Sequence, residues 1–154
     1  EIGKEFKKRF QDKNITKILT IEASGIAIAV VTAQFFNVPV VFAKKTDSLT
    51  LDKDVYQVSV YSYTRTQHNN IRVSKKFIGE EDNILIIDDF LANGQAILGL
   101  KEIVDAANAN LAGVGIVIEK GFQNGGRLLR EAGVNLESLA IIDSLDEDKI
   151  IFRN

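Results

Sequence analysis

Two adjacent carboxylates directly follow an apolar run in the middle of the chain. Residues 84–87 are all apolar, and Asp88 and Asp89 come next. A run without alternation predicts a strand covered on both faces, as in a parallel sheet, and such sheets bind ligands beyond the carboxyl ends of their strands. Ionised carboxylates only accept hydrogen bonds, which suits the vicinal hydroxyls of a sugar. Because successive strand side chains alternate, we expect a turn beginning at Phe90 to bring both acids to one side, and we expect both carboxylates to be accessible to solvent.

A stretch of small residues follows the two acids and leads into a predicted helix. Its members are Ala92, Asn93, Gly94, Gln95 and Ala96. Asn and Gly both tolerate left-handed backbone geometry, so the turn can expose its N–H groups, and the start of the helix adds a positive dipole end. An ordinary strand–loop–helix junction would look similar. The paired acids at this short spacing favour a site for a phosphorylated sugar.

The whole segment resembles the phosphoribosyl pyrophosphate motif of the type I phosphoribosyltransferases, and within that family its bacterial xanthine branch. The family often has Thr in the phosphate loop, where this chain has Asn93 and Ala96. The resemblance extends from about residue 15 to the C-terminus. It includes three further segments, residues 20–27, 41–45 and 115–120.

The resemblance implies a purine-salvage reaction at this site. Asp88 and Asp89 would hold the ribose hydroxyls of phosphoribosyl pyrophosphate, and residues 92–96 would bind its 5′-phosphate. A nitrogen of xanthine would attack the sugar C1 carbon as pyrophosphate leaves, without a nucleophilic side chain. Guanine and hypoxanthine stay open as substrates. Mg²⁺ is the expected cofactor, held mainly through substrate oxygens rather than by a protein cage.

The resemblance assigns pyrophosphate to two further strand ends. The residues concerned are Glu22, Ala23, Ser24, Gly25, Lys44 and Lys45. Residues 22–25 form a small-residue turn whose N–H groups could face an anion, although taken alone such a turn suits a helix N-cap. In the family this loop can contain a cis peptide. The two lysines could equally be solvated surface charges, but a flexible ammonium suits a departing pyrophosphate.

The purine base is assigned to the end of another predicted strand. Lys120 carries donors only, so its ammonium favours the acceptor oxygen of a 6-oxopurine over the amine of adenine. The resemblance likewise places Lys120 at the base and among the catalytic residues, with Asp88 and Asp89. Phe122 could add a stacking face, although packing in the core is the commoner role of a Phe.

The resemblance implies a mobile hairpin that closes over the reacting centre and excludes water. Residues 56–63 and 70–74 have strand patterns, which predicts a turn at residues 67–70. The segment carries Tyr61, Tyr63 and Arg65. His68, the only histidine, lies in the predicted polar turn, so we interpret it as a solvated residue and not as a general base.

Strand and helix patterns alternate along the chain. Predicted strands at 17–21, 40–43, 84–87, 114–118, 138–142 and 149–152 are separated by predicted helices at 24–36, 94–109 and 126–132, after an opening helix that ends near Lys13 and Asn14. This order predicts a doubly wound α/β fold, with a mostly parallel sheet and helices on both faces. We expect one domain over residues 1–154 and, from the family, a homodimer.

Composition agrees with a globular enzyme. The chain has 154 residues, 45% of them hydrophobic, and a formal net charge of −2, which gives no support for nucleic-acid binding. No membrane-spanning run or signal peptide is evident, and the absence of Cys is compatible with the cytoplasm. The chain starts inside a predicted helix and has no Met. We therefore expect a further segment to precede Glu1, and the resemblance implies that this segment helps to cover the base.

Two alternatives stay open at the level of sequence. One is a transcriptional regulator of purine genes, which would keep the phosphoribosyl pyrophosphate site as a sensor and add a basic DNA-binding domain. The other is a doubly wound binding protein without transfer activity. An added helix-turn-helix segment would indicate the first, and failure to release pyrophosphate would indicate the second.

Overall fold

A computed structural model describes residues 1–45, 54–62, 67–146 and 149–153 of the chain. It contains a six-stranded sheet with the order β2-β1-β5-β6-β7-β8, and a separate two-stranded hairpin of β3 and β4. The elements are α1 (Ile2–Arg9), β1 (Lys17–Ile21), α2 (Ser24–Phe36), β2 (Val40–Ala43), β3 (Val55–Ser62), β4 (Gln67–Ser74), a 3₁₀ turn (Lys75–Phe77), β5 (Asn83–Leu91), α3 (Gln95–Ala106), β6 (Asn110–Lys120), α4 (Gly125–Glu131), β7 (Leu136–Leu145) and β8 (Ile150–Phe152).

The sheet is parallel from β2 to β7, and β8 joins β7 in the antiparallel sense. This confirms the predicted mostly parallel sheet. The order reverses between β1 and β5, because later strands are added beyond β5 while β2 lies on the other side of β1. The loops that follow β1 and β5 therefore flank one crevice, which is where open α/β sheets bind ligands.

Apolar side chains leave the central strand β5 toward both faces of the sheet. Leu85 and Ile87 pack in a cluster with α1 and α2, whereas Ile84 and Ile86 pack in a cluster that includes residues of α3. All four are fully buried. The predicted covering of the sheet by helices on both faces is therefore confirmed, and the unbroken apolar run is its sequence signal.

The hairpin is rooted in the larger of these clusters. Ile71 and Val73 of β4 are buried there, and a Cβ on Gly99 of α3 would collide with Val60 of β3. The predicted turn at residues 67–70 is wrong, because these residues begin β4 and pair with residues 59–62 of β3. Tyr63 and Arg65 lie outside the described residues.

Long-range pairing accounts for most other differences from the predicted elements. The predicted strands 84–87 and 114–118 extend to Asn83–Leu91 and Asn110–Lys120, since the two pair with each other along much of their length. The opening helix ends at Arg9 rather than near residue 13, and the helix after β5 ends at Ala106 rather than 109. The predicted bounds of β1, α2 and β2 match those observed.

Candidate active site

A cleft of about 250 Å³ lies between the loop after β5 and the hairpin of β3 and β4. All five residues of the predicted phosphate loop line it. Lys45 also lines the cleft, together with Phe90 and several side chains of the hairpin. The full lining is Ile21, Lys45, Val60, Tyr61, Asn69, Ile71, Phe90, Leu91, Ala92, Asn93, Gly94, Gln95, Ala96 and Ile97.

The phosphate loop contains a glycine in the left-handed conformation, at the point where α3 begins. Gly94 has φ 83° and is the N-cap of α3, and its carbonyl accepts a hydrogen bond from the N–H of Leu98 at 2.9 Å. A glycine N-cap has no side chain with which to satisfy the first N–H groups of the helix. These groups, at the positive end of the twelve-residue α3, are suited to an anion in the cleft.

Asp88 is buried beneath the loop that follows β1. Its side chain lies so close to Gly25 that a Cβ there would be 2.8 Å from Oδ1 of Asp88 and would also collide with Oγ1 of Thr20. The N–H of Asp89 donates to Oδ1 of Asp88 at 3.0 Å. Burial raises the pKa of Asp88 to about 7, and this N–H and the charge of Lys45 oppose the rise only in part. The expectation that both motif acids are solvent-accessible is wrong for Asp88, which is 5% exposed.

Asp89 is only partly buried, and its Oδ1 accepts a hydrogen bond from the N–H of Phe90 at 3.0 Å. The predicted turn at Phe90 is wrong. The strand continues because Phe90 pairs with Ile118 and Leu91 with Glu119 of the neighbouring strand β6. The two acids therefore differ in environment, one enclosed against Gly25 and the other open to solvent.

The loop after β1 contains a cis peptide between Glu22 and Ala23, as the family resemblance implied. Ala23 is the N-cap of α2, and Ser24 is exposed at its first position. One carboxylate oxygen of Glu22 accepts the backbone N–H of Lys45 at 2.5 Å. This bond connects the ends of β1 and β2, so the predicted pyrophosphate residues of the two strand ends lie side by side.

Lys44 and Lys45 point to different places. Lys45 lines the cleft beside the phosphate loop. Lys44 instead lines an apolar groove with Phe42 and Phe77, and its backbone N–H and carbonyl pair with those of Arg72 in the hairpin at 2.9 Å. The structure therefore brings only the second lysine to the predicted site.

Lys120 ends β6 beside the cleft. Its ammonium lies 5.9 Å from the ring centroid of Phe90, within reach of a cation–π interaction. Phe90 itself is 48% exposed and lines the cleft, a role that sequence reasoning missed although an exposed aromatic directly after the paired acids was a usable signal. Phe122 is also 48% exposed, so its expected packing in the core is wrong and a free ring face is available.

Glu119 is a second residue that sequence reasoning missed. Its carboxylate is buried and accepts two hydrogen bonds from Arg130, each 2.7 Å, and one from the hydroxyl of Ser138 at 2.5 Å. Burial opposes the ionisation of Glu119, but the bonds from Arg130 and Ser138 outweigh it and hold the pKa of Glu119 below its usual value. A Glu at the end of an apolar strand was the available signal, but its partners are distant in sequence.

The fold and the phosphate loop together define a class of enzyme: the chain belongs to the phosphoribosyl transferase domain family, whose model matches residues 1–135. A curated relative, the xanthine phosphoribosyltransferase of Alkaliphilus metalliredigens, is 64% identical over 154 residues, which cover 100% of this chain and 76% of the relative. The protein of the same name from Clostridioides difficile is 59% identical, with coverage of 99% and 81%.

Solved structures of adenine phosphoribosyltransferases share the fold of this chain. Adenine phosphoribosyltransferase from Giardia lamblia, complexed with 9-deazaadenine, superposes with a TM-score of 0.80 at 25% identity, over 91% of this chain and 76% of that one. The Trypanosoma brucei adenine enzyme, in complex with AMP, pyrophosphate and ribose-5-phosphate, has a TM-score of 0.82 at 22% identity, over 96% and 65%. This second likeness supports the fold. In the described part of the chain, no helix has the length and apolar character needed to cross a membrane.

Proposed function

We propose that this chain transfers the phosphoribosyl group of phosphoribosyl pyrophosphate to xanthine, giving xanthosine 5′-monophosphate and pyrophosphate. The observation that carries the proposal is the loop of residues 92–96, which lines the cleft with the open start of α3. The relatives' names support the choice of base. The regulator alternative has no supporting observation among the described residues or in these names.

The proposed donor spans the crevice from the phosphate loop toward β1. Its 5′-phosphate accepts hydrogen bonds from the N–H groups of residues 92–96, and its ribose hydroxyls meet Asp88 and Asp89. Its pyrophosphate lies toward residues 22–25, where Lys45 supplies positive charge. Access of a hydroxyl to Asp88 requires movement of the loop that holds Gly25, because that loop encloses the carboxylate.

The transfer is a substitution at the C1 carbon of the ribose. A purine nitrogen forms a bond to C1 with its electron pair, and the bond from C1 to the pyrophosphate oxygen breaks, so that pyrophosphate leaves with the electrons of the broken bond. The proton of the purine imidazole ring is released to solvent. The chain holds the two reactants in line and stabilises the charges that develop, and no covalent intermediate with the protein is needed.

Mg²⁺ is proposed as the cofactor, entering with the donor. The partly exposed carboxylate of Asp89 is the kind of oxygen ligand that Mg²⁺ prefers, and this ion usually keeps waters and substrate oxygens as its other ligands. Within residues 1–45, 54–62, 67–146 and 149–153, no group of three or more His, Cys, Asp or Glu side chains is arranged to hold a metal. When bound, the ion would neutralise charge on the departing pyrophosphate.

The base is proposed to lie between the aromatic rings of Phe90 and Phe122, near Lys120. Both rings are half-exposed, and the ammonium is already placed over one of them. An ammonium there would donate to the 6-oxo group of xanthine, guanine or hypoxanthine and would meet the amine of adenine unfavourably. A cytoplasmic homodimer is the proposed working form.

Steady-state turnover with xanthine, guanine, hypoxanthine and adenine, each with phosphoribosyl pyrophosphate and Mg²⁺, tests the proposal. We expect kcat/KM for xanthine to exceed that for adenine by at least about a hundredfold, because the base site favours an oxo group. Release of no pyrophosphate with any base would indicate a binding protein instead. Equal rates with xanthine and adenine would overturn the assignment of the base.

Lys45→Ala and Lys44→Ala provide a matched pair for the donor site. Lys45 lines the cleft and Lys44 lines the apolar groove, so the two substitutions remove the same charge from different places. We expect Lys45→Ala to raise the KM for phosphoribosyl pyrophosphate about tenfold and Lys44→Ala to change it less than about threefold. The reverse order would contradict the proposed path of the donor.

A further inference from the structure

The helix α4 begins directly against the back of the phosphate loop. The N–H of Gly125 donates to the carbonyl of Ala92 at 3.0 Å. A Cβ on Gly125 would lie only 2.7 Å from the backbone N of Gly94, and a Cβ on Gly94 would lie 3.2 Å from the Cα of Gly125. The two backbones approach more closely than side chains would allow. The position of the loop is therefore determined by the position at which α4 starts.

The next residue of α4 faces the opposite way. A Cβ on Gly126 would collide with Oε1 of Glu119 and would lie 2.7 Å from Nη1 of Arg130. The first turn of α4 is thus held between two partners, the phosphate loop on the side of Gly125 and the buried carboxylate on the side of Gly126. Each glycine provides the space for one of these contacts.

Three side chains, Glu119, Arg130 and Ser138, form what we call the Glu119 network. Both oxygens of the carboxylate are bound by the guanidinium, and one also by the hydroxyl. The side chain of Glu119 is 3% exposed and that of Arg130 is 41% exposed. Because Arg130 lies near the end of α4 while Glu119 and Ser138 lie on β6 and β7, the network fixes the helix to two strands. A bidentate pair of this kind restricts orientation as well as distance.

We infer that the Glu119 network positions the phosphate loop for the 5′-phosphate of the donor, acting through α4. This inference rests on the proposed function and deepens it. None of the three side chains lines the cleft, so they are positioning residues rather than catalytic ones. Since Glu119 directly precedes Lys120, the same carboxylate also anchors the strand end that is proposed to read the base. The network therefore connects the phosphate half of the site with the base half.

A purely structural role would give a different kinetic result. Loss of stability reduces the amount of folded enzyme, which lowers the apparent kcat but leaves the KM of the remaining enzyme unchanged. Displacement of the phosphate loop lowers the affinity of every enzyme molecule for the donor, which raises the KM for phosphoribosyl pyrophosphate. The ratio of the two effects separates positioning from stability.

Arg130→Lys is the test, with Arg127→Lys as the matched control. Both arginines lie on α4 and both pair with a glutamate, but the pair of Arg127 with Glu131 is exposed and does not involve Glu119. Lys keeps the charge and loses the bidentate geometry. We expect Arg130→Lys to raise the KM for phosphoribosyl pyrophosphate about tenfold with kcat within about threefold of wild type, and Arg127→Lys to change neither. A KM equal to that of wild type in folded Arg130→Lys would overturn the inference.

Ser138→Ala covers the case in which Arg130→Lys fails to fold, because it removes only one hydrogen bond from the carboxylate. We expect it to raise the same KM about threefold, and an unchanged value would overturn the inference. Calorimetric titration of each variant with ribose 5-phosphate separates this inference from the proposed function. If the wild type binds ribose 5-phosphate but converts no base, the proposed function fails, and the network is still judged by the loss of ribose 5-phosphate affinity in Arg130→Lys.

Discussion

The neighbouring strands β5 and β6 carry the same pattern in their carboxyl-terminal parts, a buried acid followed by a more exposed charged residue, but the two buried acids have opposite environments. Asp88 accepts a backbone N–H and is enclosed against Gly25, whereas Glu119 is bound by a guanidinium and a hydroxyl. Burial raises the pKa of Asp88 to about 7, while the bonds to Glu119 overcome its burial and lower its pKa.

The difference distinguishes a carboxylate that is proposed to meet a ligand from one whose oxygens are bound within the structure. A buried acid without a cation bound to it destabilises the fold when it ionises, and it keeps acceptor capacity for an incoming group. A buried acid whose oxygens are bound holds other elements in place and has little capacity left. Substitutions at the two strand ends should therefore have opposite effects on stability.

The largest effect is expected from Arg130→Ala, which leaves Glu119 buried without its cation. Removing one partner of a buried ion pair lowers the free energy of unfolding by about 3–5 kcal/mol. Because Arg130 is partly exposed, we expect a loss of about 3 kcal/mol for Arg130→Ala. Urea unfolding at pH 7 measures this loss. The control Arg127→Ala breaks an exposed pair on the same helix and should lower the free energy of unfolding by less than about 1 kcal/mol.

The pH dependence of that loss provides a second check. The folded pKa of Glu119 lies below its usual 4.5. The stabilisation by the pair is therefore fully present above pH 4.5 and is lost as the pH falls through the folded pKa. The difference in the free energy of unfolding between wild type and Arg130→Ala should become smaller below pH 4.5. A difference that becomes larger below pH 4.5 would contradict the pairing of Glu119 with Arg130.

Asp88→Asn is expected to change stability in the opposite direction. The rise of the pKa from 3.8 to about 7 means that the folded state binds the proton more tightly, so stability falls as the pH rises through this window. The full rise corresponds to at most about 4 kcal/mol. We expect Asp88→Asn to be about 2 kcal/mol more stable than wild type at pH 8 and to match it at pH 4, by thermal unfolding at both pH values. Lower stability of the variant at pH 8 would remove the contrast with Glu119.

The two partly exposed neighbours of these acids, Asp89 and Lys120, should affect ligand binding without affecting the stability of the fold. Asp89→Asn is expected to lower kcat/KM for phosphoribosyl pyrophosphate by about a hundredfold, because it removes a charged acceptor from the proposed ribose site. Since Asp89 is partly exposed, the free energy of unfolding, measured in urea, should change by less than about 0.5 kcal/mol. Full activity of this variant would show that the open acid of β5 has no role in binding.

Lys120→Ala should have the smallest effect of the series. We expect it to reduce the preference for xanthine over adenine about tenfold while the KM for phosphoribosyl pyrophosphate stays within about twofold, because the ammonium lies over Phe90 on the side proposed for the base. Competition between the two bases in one assay measures the preference directly. An unchanged preference would exclude Lys120 from the base site.

Sequence reasoning identified the candidate site residues but not the environment of the two acids. The apolar run, the two acids and the small-residue loop are local signals, and they predicted the fold and the family, which the structure and the relatives confirm. The burial of Asp88 depends on Gly25, 63 positions earlier in the sequence, and the bonds to Glu119 come from residues 11 and 19 positions away. Contacts of this kind follow from strand order and helix packing, which periodicity does not encode.

The packing of the hairpin into the core affects the thermal stability of the protein. Ile71 and Val73 are part of the main apolar cluster, while Ile71 also forms a wall of the cleft. The enclosure of the proposed donor and the thermal stability of the fold therefore depend on the same contacts. Variants selected for faster release of nucleotide through a looser hairpin would lose heat tolerance at the same time.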